Sequence, residues 1–153
     1  MPFPQGEIEA VMERYVAMRE AIDAGERVWT DLIEFYTEDA IYIDPAWGRV
    51  EGREAIREFM VESMLGLEDW QFPVEFTAVS GDDVAVKWLQ ILPGERPGGG
   101  RWVQSGWSRL VYAGDGRFRY QEDMLNMSHV IEDMRASGWR PRSEEHTSEL
   151  QSR

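Results

Sequence analysis

Three side chains stand where proton chemistry could be done. Asp44 sits in "AIYIDPAWG", flanked by Ile41, Tyr42, Ile43, Pro45 and Trp47. An ionised carboxylate has few polar neighbours there, and desolvation raises its pKa toward useful basicity near neutral pH. Tyr15 falls on the apolar stripe of a helical pattern, where an inward hydroxyl can donate to a substrate oxygen as negative charge develops. The third candidate is one of two acids in "RFRYQEDMLNM". Alternation puts Gln121, Asp123 and Leu125 on one strand face and Tyr120, Glu122 and Met124 on the other, so a one-sided sheet turns one acid inward. Each candidate has a plainer reading. Asp44 can cap a local amide before proline, Tyr15 can be a core aromatic, and Asp123 can be a rim carboxylate paired with Lys87 or Arg109.

The same parity sorts the neighbours. Tyr42 shares a face with Asp44, Trp88 with Gln90, and Gln104 with Gly106 and Ser108. If these faces look inward, they wall an aromatic pocket with a few neutral polar groups, suited to a small hydrophobic ligand carrying one or two oxygens. The alternative is that Trp88 fills the core and leaves no cavity. Trp47 and Trp107 read as further walls or as a subunit interface. His129, just after the Ser128 cap position, reads as a helix-start residue rather than a catalyst. With no Cys and one His in the domain, no metal-ligand cluster and no Ser-His-Asp arrangement is visible, and no cofactor motif is present. "PGERPGGG" lacks the strand-to-helix context of a phosphate loop and reads as a mobile hairpin tip.

The elements that must position these residues follow from periodicity. Ile8, Val11, Met12, Tyr15, Arg19 and Ile22 recur at helical spacing, predicting an amphipathic helix over 7–24 stopped near Gly25. "TDLIEFYTEDA", opened by Thr30 as N-cap, predicts a short second helix, "AIYID" a short strand ended by Pro45, and "REAIREFMVESML" a third helix. The period then changes. "FPVEFTAVS", "DVAVKWLQIL", "RWVQSGWSRLVY" and "RFRYQEDMLNM" are strand candidates separated by the turn signals "GDD", "PGERPGGG" and "AGDG", and the last three form a meander. "SHVIEDMRASGW" closes as a helix, with Ser128 as N-cap and Gly138 just past its end. Helices followed by a long antiparallel sheet predict an α+β domain whose sheet curls around the first helix and leaves a cavity.

Composition bounds the partners. The 153 residues suffice for one domain, and a net charge of −13 repels phosphate backbones, so nucleic acid is not expected. No apolar run is long enough to span a bilayer and the N-terminus lacks signal-peptide character, so no membrane partner and a cytoplasmic location are expected. "RSEEHTSELQS", Arg142 to Ser152, looks like translated sequencing-adapter read-through from environmental DNA. The expected division is therefore a domain over 1–141 and a disordered artefactual tail over 142–153.

The order helix, helix, short strand, helix, meander resembles the nuclear transport factor 2-like superfamily, and specifically its SnoaL-like branch. "FYTEDAIYIDPAWGRVEGREAIREFM", "VMERYVAMREAIDAGE" and "YAGDGRFRYQEDMLNM" carry the resemblance over nearly all of 1–141. It implies a cone-shaped α+β barrel, a curved mostly antiparallel sheet wrapped around N-terminal helices, and a homodimer formed through the exposed sheet face. Likeness to ketosteroid isomerase implies Tyr15 as oxyanion donor and Asp44, in "IDP", as base, with that enzyme's meander acid falling near Ser108. Likeness to limonene epoxide hydrolase matches Asp123 to one catalytic acid and places that enzyme's other two charges on Trp88 and Gln90. Likeness to polyketide cyclases implies Asp123 as late-strand acid/base, with Asn126 beside it.

Together these readings predict a cofactor-free enzyme moving a proton at carbon in a small apolar carbonyl compound. Asp44 is its expected base, Tyr15 its oxyanion donor and Asp123 a second acid/base, with Tyr42, Trp47, Trp88, Gln90, Gln104, Ser108 and Asn126 as substrate contacts. The alternatives are a non-catalytic ligand-binding or dimerisation module, and a water-activating hydrolase centred on Asp123. The hydrolase needs a positive partner in the cavity, and Lys87 has the wrong strand parity to supply it.

Overall fold

The computed structural model describes residues 2–140; the expected tail over 142–153 lies outside the described residues. The chain forms α1 (Gln5–Asp23), a 3₁₀ helix (Trp29–Phe35), β1 (Tyr36–Asp44), β2 (Gly48–Glu51), α2 (Arg53–Met64), β3 (Val74–Ser80), β4 (Asp83–Leu92), β5 (Trp102–Gly114), β6 (Arg117–Leu125) and α3 (Met127–Ser137). One six-stranded sheet runs β2-β1-β6-β5-β4-β3 and does not close. All its pairings are antiparallel except β1 with β6, which is parallel. The α+β class holds, with the helices on one face of the sheet. Among the described residues no helix is long and apolar enough to cross a membrane.

α1 follows its sequence stripe. Ile8, Val11, Met12, Tyr15 and Arg19 are its buried residues, and each apolar one contributes roughly 1.5–3 kcal/mol by leaving water. Past the helix, Gly25 takes φ +79, a conformation open to glycine at little cost. The meander also forms as read. The β5–β6 turn places Asp115 at φ 53 and Gly116 at φ 74, the left-handed pair that matches the twist of a tight hairpin.

The second expected helix is corrected. Only Trp29–Phe35 coils, as a 3₁₀ turn, and "YTEDA" extends β1 instead. Thr30 is not its cap: the Asp31 carboxylate accepts from the Val28 N–H at 3.0 Å, one residue pair displaced from the expected position. Tyr36 and Ala40 bury with Tyr42, so core contact on β1 overrides weak helix propensity in this segment. The strand β2, not anticipated, pairs with β1 from Ile41↔Glu51 to Asp44↔Gly48 and makes a hairpin of the Asp44 turn. At the closing helix the cap is Asn126 rather than Ser128: its Oδ1 accepts from His129 N at 3.3 Å.

Candidate active site

The concave face of the sheet and the helices enclose a cavity of about 400 Å³. Register places its polar floor. Ser108 lies directly across from Asp123 on β5 and β6, and Tyr42 directly across from Gln121 on β1 and β6. These inward positions converge on the carboxylate of Asp123. Its Oδ1 accepts from Ser108 Oγ at 2.6 Å and from Gln121 Nε2 at 2.8 Å, and its Oδ2 accepts from the hydroxyl of Tyr42. A carboxylate offers about four lone-pair sites, so one on Oδ2 remains for a ligand.

The network extends outward from those three donors. Ser108 Oγ accepts from the indole Nε1 of Trp88 at 2.9 Å. Gln121 Nε2 also donates to the Tyr42 hydroxyl at 3.1 Å, and Gln121 Oε1 accepts from Tyr36. Burial pushes the Asp123 carboxyl above its ordinary range. The bonds from Ser108, Tyr42 and Gln121 pull it back in part, and the charge of Asp44 adds to the rise. Burial also holds Tyr36 and Tyr42 well above the ordinary tyrosine value, so both remain neutral donors at pH 7.

A second polar centre stands on α1. Arg19, 5 % exposed, donates from Nη1 to the Tyr15 hydroxyl at 3.1 Å and from Nη2 to the Phe72 carbonyl at 2.9 Å. Its guanidinium lies 5.1 Å from the Trp29 ring centre and 5.8 Å from that of Tyr15, contacts of about 0.5–2 kcal/mol each when desolvated. Burial works against this charge, but Tyr15, Asp123 and Tyr42 outweigh it and raise the guanidinium pKa, so Arg19 stays cationic. Burial likewise raises Tyr15, with Arg19 opposing. Because Tyr15 accepts from Arg19, its own O–H proton is left for an acceptor in the cavity.

A sequence profile of the SnoaL-like domain matches residues 12–121. The chain belongs to the SnoaL-like domain family. No curated protein sequence matches it. Solved structures share the fold. A candidate SnoaL-like polyketide cyclase from Jannaschia sp. CCS1 superposes with TM-score 0.64 at 20% identity, covering 85% of this chain and 93% of that one. A protein of ketosteroid isomerase-like fold from Catenulispora acidiphila, in complex with trimethylamine, gives 0.65 at 18%, covering 86% and 97%. AclR, a candidate hydroxylase from Streptomyces galilaeus, gives 0.62 at 17%, covering 90% and 100%. The fold of this SnoaL-like domain is the one these structures share, consistent with the nuclear transport factor 2-like resemblance.

In this SnoaL-like domain Tyr15, Tyr42, Asp44, Trp47, Trp88, Gln90, Ser108 and Asp123 all line the cavity. Trp88 does not plug it: the indole is buried, yet open volume remains. Asp44 adopts the turn geometry. Its Oδ2 accepts from the backbone N–H of Ala46 at 2.8 Å and of Trp47 at 2.9 Å, fixing the β1–β2 hairpin at the cavity mouth. Trp47 is 52% exposed there and meets Phe59 edge-on at 5.9 Å. Trp107 points to the outer face of the sheet against Phe76.

Two expected contacts fall elsewhere. Gln104 donates to Asp133 of α3 at 2.7 Å, and Asn126 is spent on its helix cap, so neither lines the cavity. Local alternation could not show that a helix would lie across Gln104. The salt bridges proposed for Asp123 also go to others: Lys87 pairs with Glu75 at 2.5 Å and Arg109 with Asp83 at 2.7 Å. Among the described residues no group of three or more His, Cys, Asp or Glu could hold a metal ion.

Three contributors escaped the sequence reading as site residues. Arg19 had a signal, a charge on the apolar stripe one turn beyond Tyr15. Gln121 shared the inward parity of Asp123. Tyr36 had none, because its segment read as helix. Arg19 also supplies the cavity cation that Lys87 could not, from the helix rather than the sheet.

Proposed function

We propose that this SnoaL-like domain is a cofactor-independent acid/base enzyme acting at a carbon next to a carbonyl group in a small hydrophobic compound. The observation that supports it is the Asp123 carboxylate, desolvated in the cavity and held by three side-chain donors with one lone pair unspent. In this reading Asp123 takes the proton from carbon and returns it to a second site on the same molecule. Tyr15, polarised by Arg19, donates to the oxygen on which charge develops. An oriented base supplies about 10²–10⁴-fold and an oxyanion donor about 10²–10³-fold, enough for isomerisation, cyclisation or dehydration of an activated carbonyl compound. Asp44, bound to its own turn, adds charge and shape at the mouth.

The test is a panel of carbon acids (ketosteroids, β-keto esters, polyketide mimics) turned over by the wild type, Asp123→Asn and Asp44→Asn. Asp123→Asn should lose at least about 10²-fold in kcat, with a smaller loss for Asp44→Asn. Turnover undiminished in Asp123→Asn removes this reading. A second reading, a non-catalytic ligand-binding module, is favoured by the near-complete engagement of the Asp123 carboxylate. It requires that the panel bind without turnover.

A further inference from the structure

The buried guanidinium of Arg19 lacks a carboxylate. Its two hydrogen bonds go to a hydroxyl and a backbone carbonyl, both neutral, and it enters no ion pair among the described residues. Asp123 and Asp23 both feel its charge, but each lies beyond ion-pair distance and spends its oxygens on other donors, Asp123 on Ser108, Gln121 and Tyr42 and Asp23 on the Phe72 N–H. A buried cation with no anion in contact is costly, and one that lines a cavity is placed to receive a contacting counter-ion from outside. A second donor in the same cavity wall is also unspent. The indole Nε1–H of Trp70 is buried without a partner, and its ring stacks on Phe72, whose carbonyl Arg19 holds. The surroundings are aromatic, with Trp29, Phe72 and Trp88 meeting edge to face.

We infer that the ligand is an aromatic or polycyclic organic acid whose delocalised oxyanion, a carboxylate or the anion of an acidic enol, seats on Arg19 with the Trp70 N–H as a further donor. This rests on the reading of the cavity as a substrate pocket and narrows its substrate class. Arg19 presents unused N–H groups in a planar fork, which suits two oxygens sharing one charge. The ring system of such a ligand fits a cavity of about 400 Å³ and brings its other oxygens toward Tyr15 and Asp123.

The test measures binding by calorimetry at pH 7 for naphthoate, the hydroxynaphthoquinone anion and neutral acetonaphthone. The wild type should bind both anions about tenfold or more tighter than the ketone. Arg19→Met should erase that preference, lowering affinity for the anions far more than for the ketone, and Arg19→Lys should retain part of it; circular dichroism establishes that each is folded. Preference for only one of the two anions says which oxyanion the site takes and supports the inference. Equal or tighter binding of the ketone by the wild type, which needs no variant, overturns the inference and leaves the pocket reading intact. No binding of any probe overturns both.

Discussion

Trp88 lays its indole over the bare Cα of its cross-strand partner Gly106: a Cβ built there would come within 2.4 Å of the ring. The indole reaches Ser108 Oγ only from that position, and through it the Asp123 carboxylate. Gly106→Ala should therefore push the ring aside, break its bond to Ser108 and destabilise by about 1–3 kcal/mol, as overpacked cores do. Thermal unfolding should shift down about 2–4 °C per kcal/mol for a chain of this size. An unchanged midpoint would show that the ring relocates freely.

Asp123 predicts a pH dependence. Its pKa in the folded protein is raised by burial, so the native state binds its proton more tightly than the unfolded chain does. The resulting stabilisation is fully present below the unfolded value, about 3.9, and is lost as pH rises through the folded one. Asp23, raised by burial as well, acts in the same direction. Asp123→Asn should flatten part of this decline in a series of unfolding curves at rising pH. Activity should run the other way, rising as the carboxyl ionises, with its acid limb above the ordinary carboxylate range.

Two contacts hold α3 over the cavity, where Val130 and Met134 form part of its lining. Asn126→Ala removes the helix cap and should cost about 0.5–2 kcal/mol. Gln104→Ala releases Asp133. Either change should speed hydrogen exchange in α3 before that of the central strands, and the double variant should raise KM more than it lowers kcat.

The homodimer expected from the sequence has its candidate surface on the outer sheet face. Phe76, Trp107 and Met124 are exposed there in neighbouring strands, with Lys87 under Trp107 at 5.8 Å. Sedimentation velocity should show twice the chain mass for the wild type and a single chain for Trp107→Glu. A monomeric wild type would remove the expectation.

Much of the architecture was legible locally. Apolar spacing drew α1, turn residues cut the meander at "GDD" and "AGDG", and alternation put Asp123 with Gln121 and Trp88 with Gln90. These are properties of a few adjacent residues, and the period of helix or strand transmits them directly. Other features depended on what came to lie alongside. "YTEDA" became strand because Tyr36 pairs with Phe118 of β6, more than seventy residues away in sequence, and Tyr36 and Ala40 bury in the core on either side of an irregular stretch. Gln104 turned from pocket to tether because α3 crosses it. Asp44 was claimed by its own hairpin, once β2 folded back to make one. Alternation within a segment is enough to assign side chains to a face. Which face is dry depends on what packs across it from elsewhere in the chain, and that packing made Arg19, one more charged residue on a helix, a buried cation in an aromatic cavity.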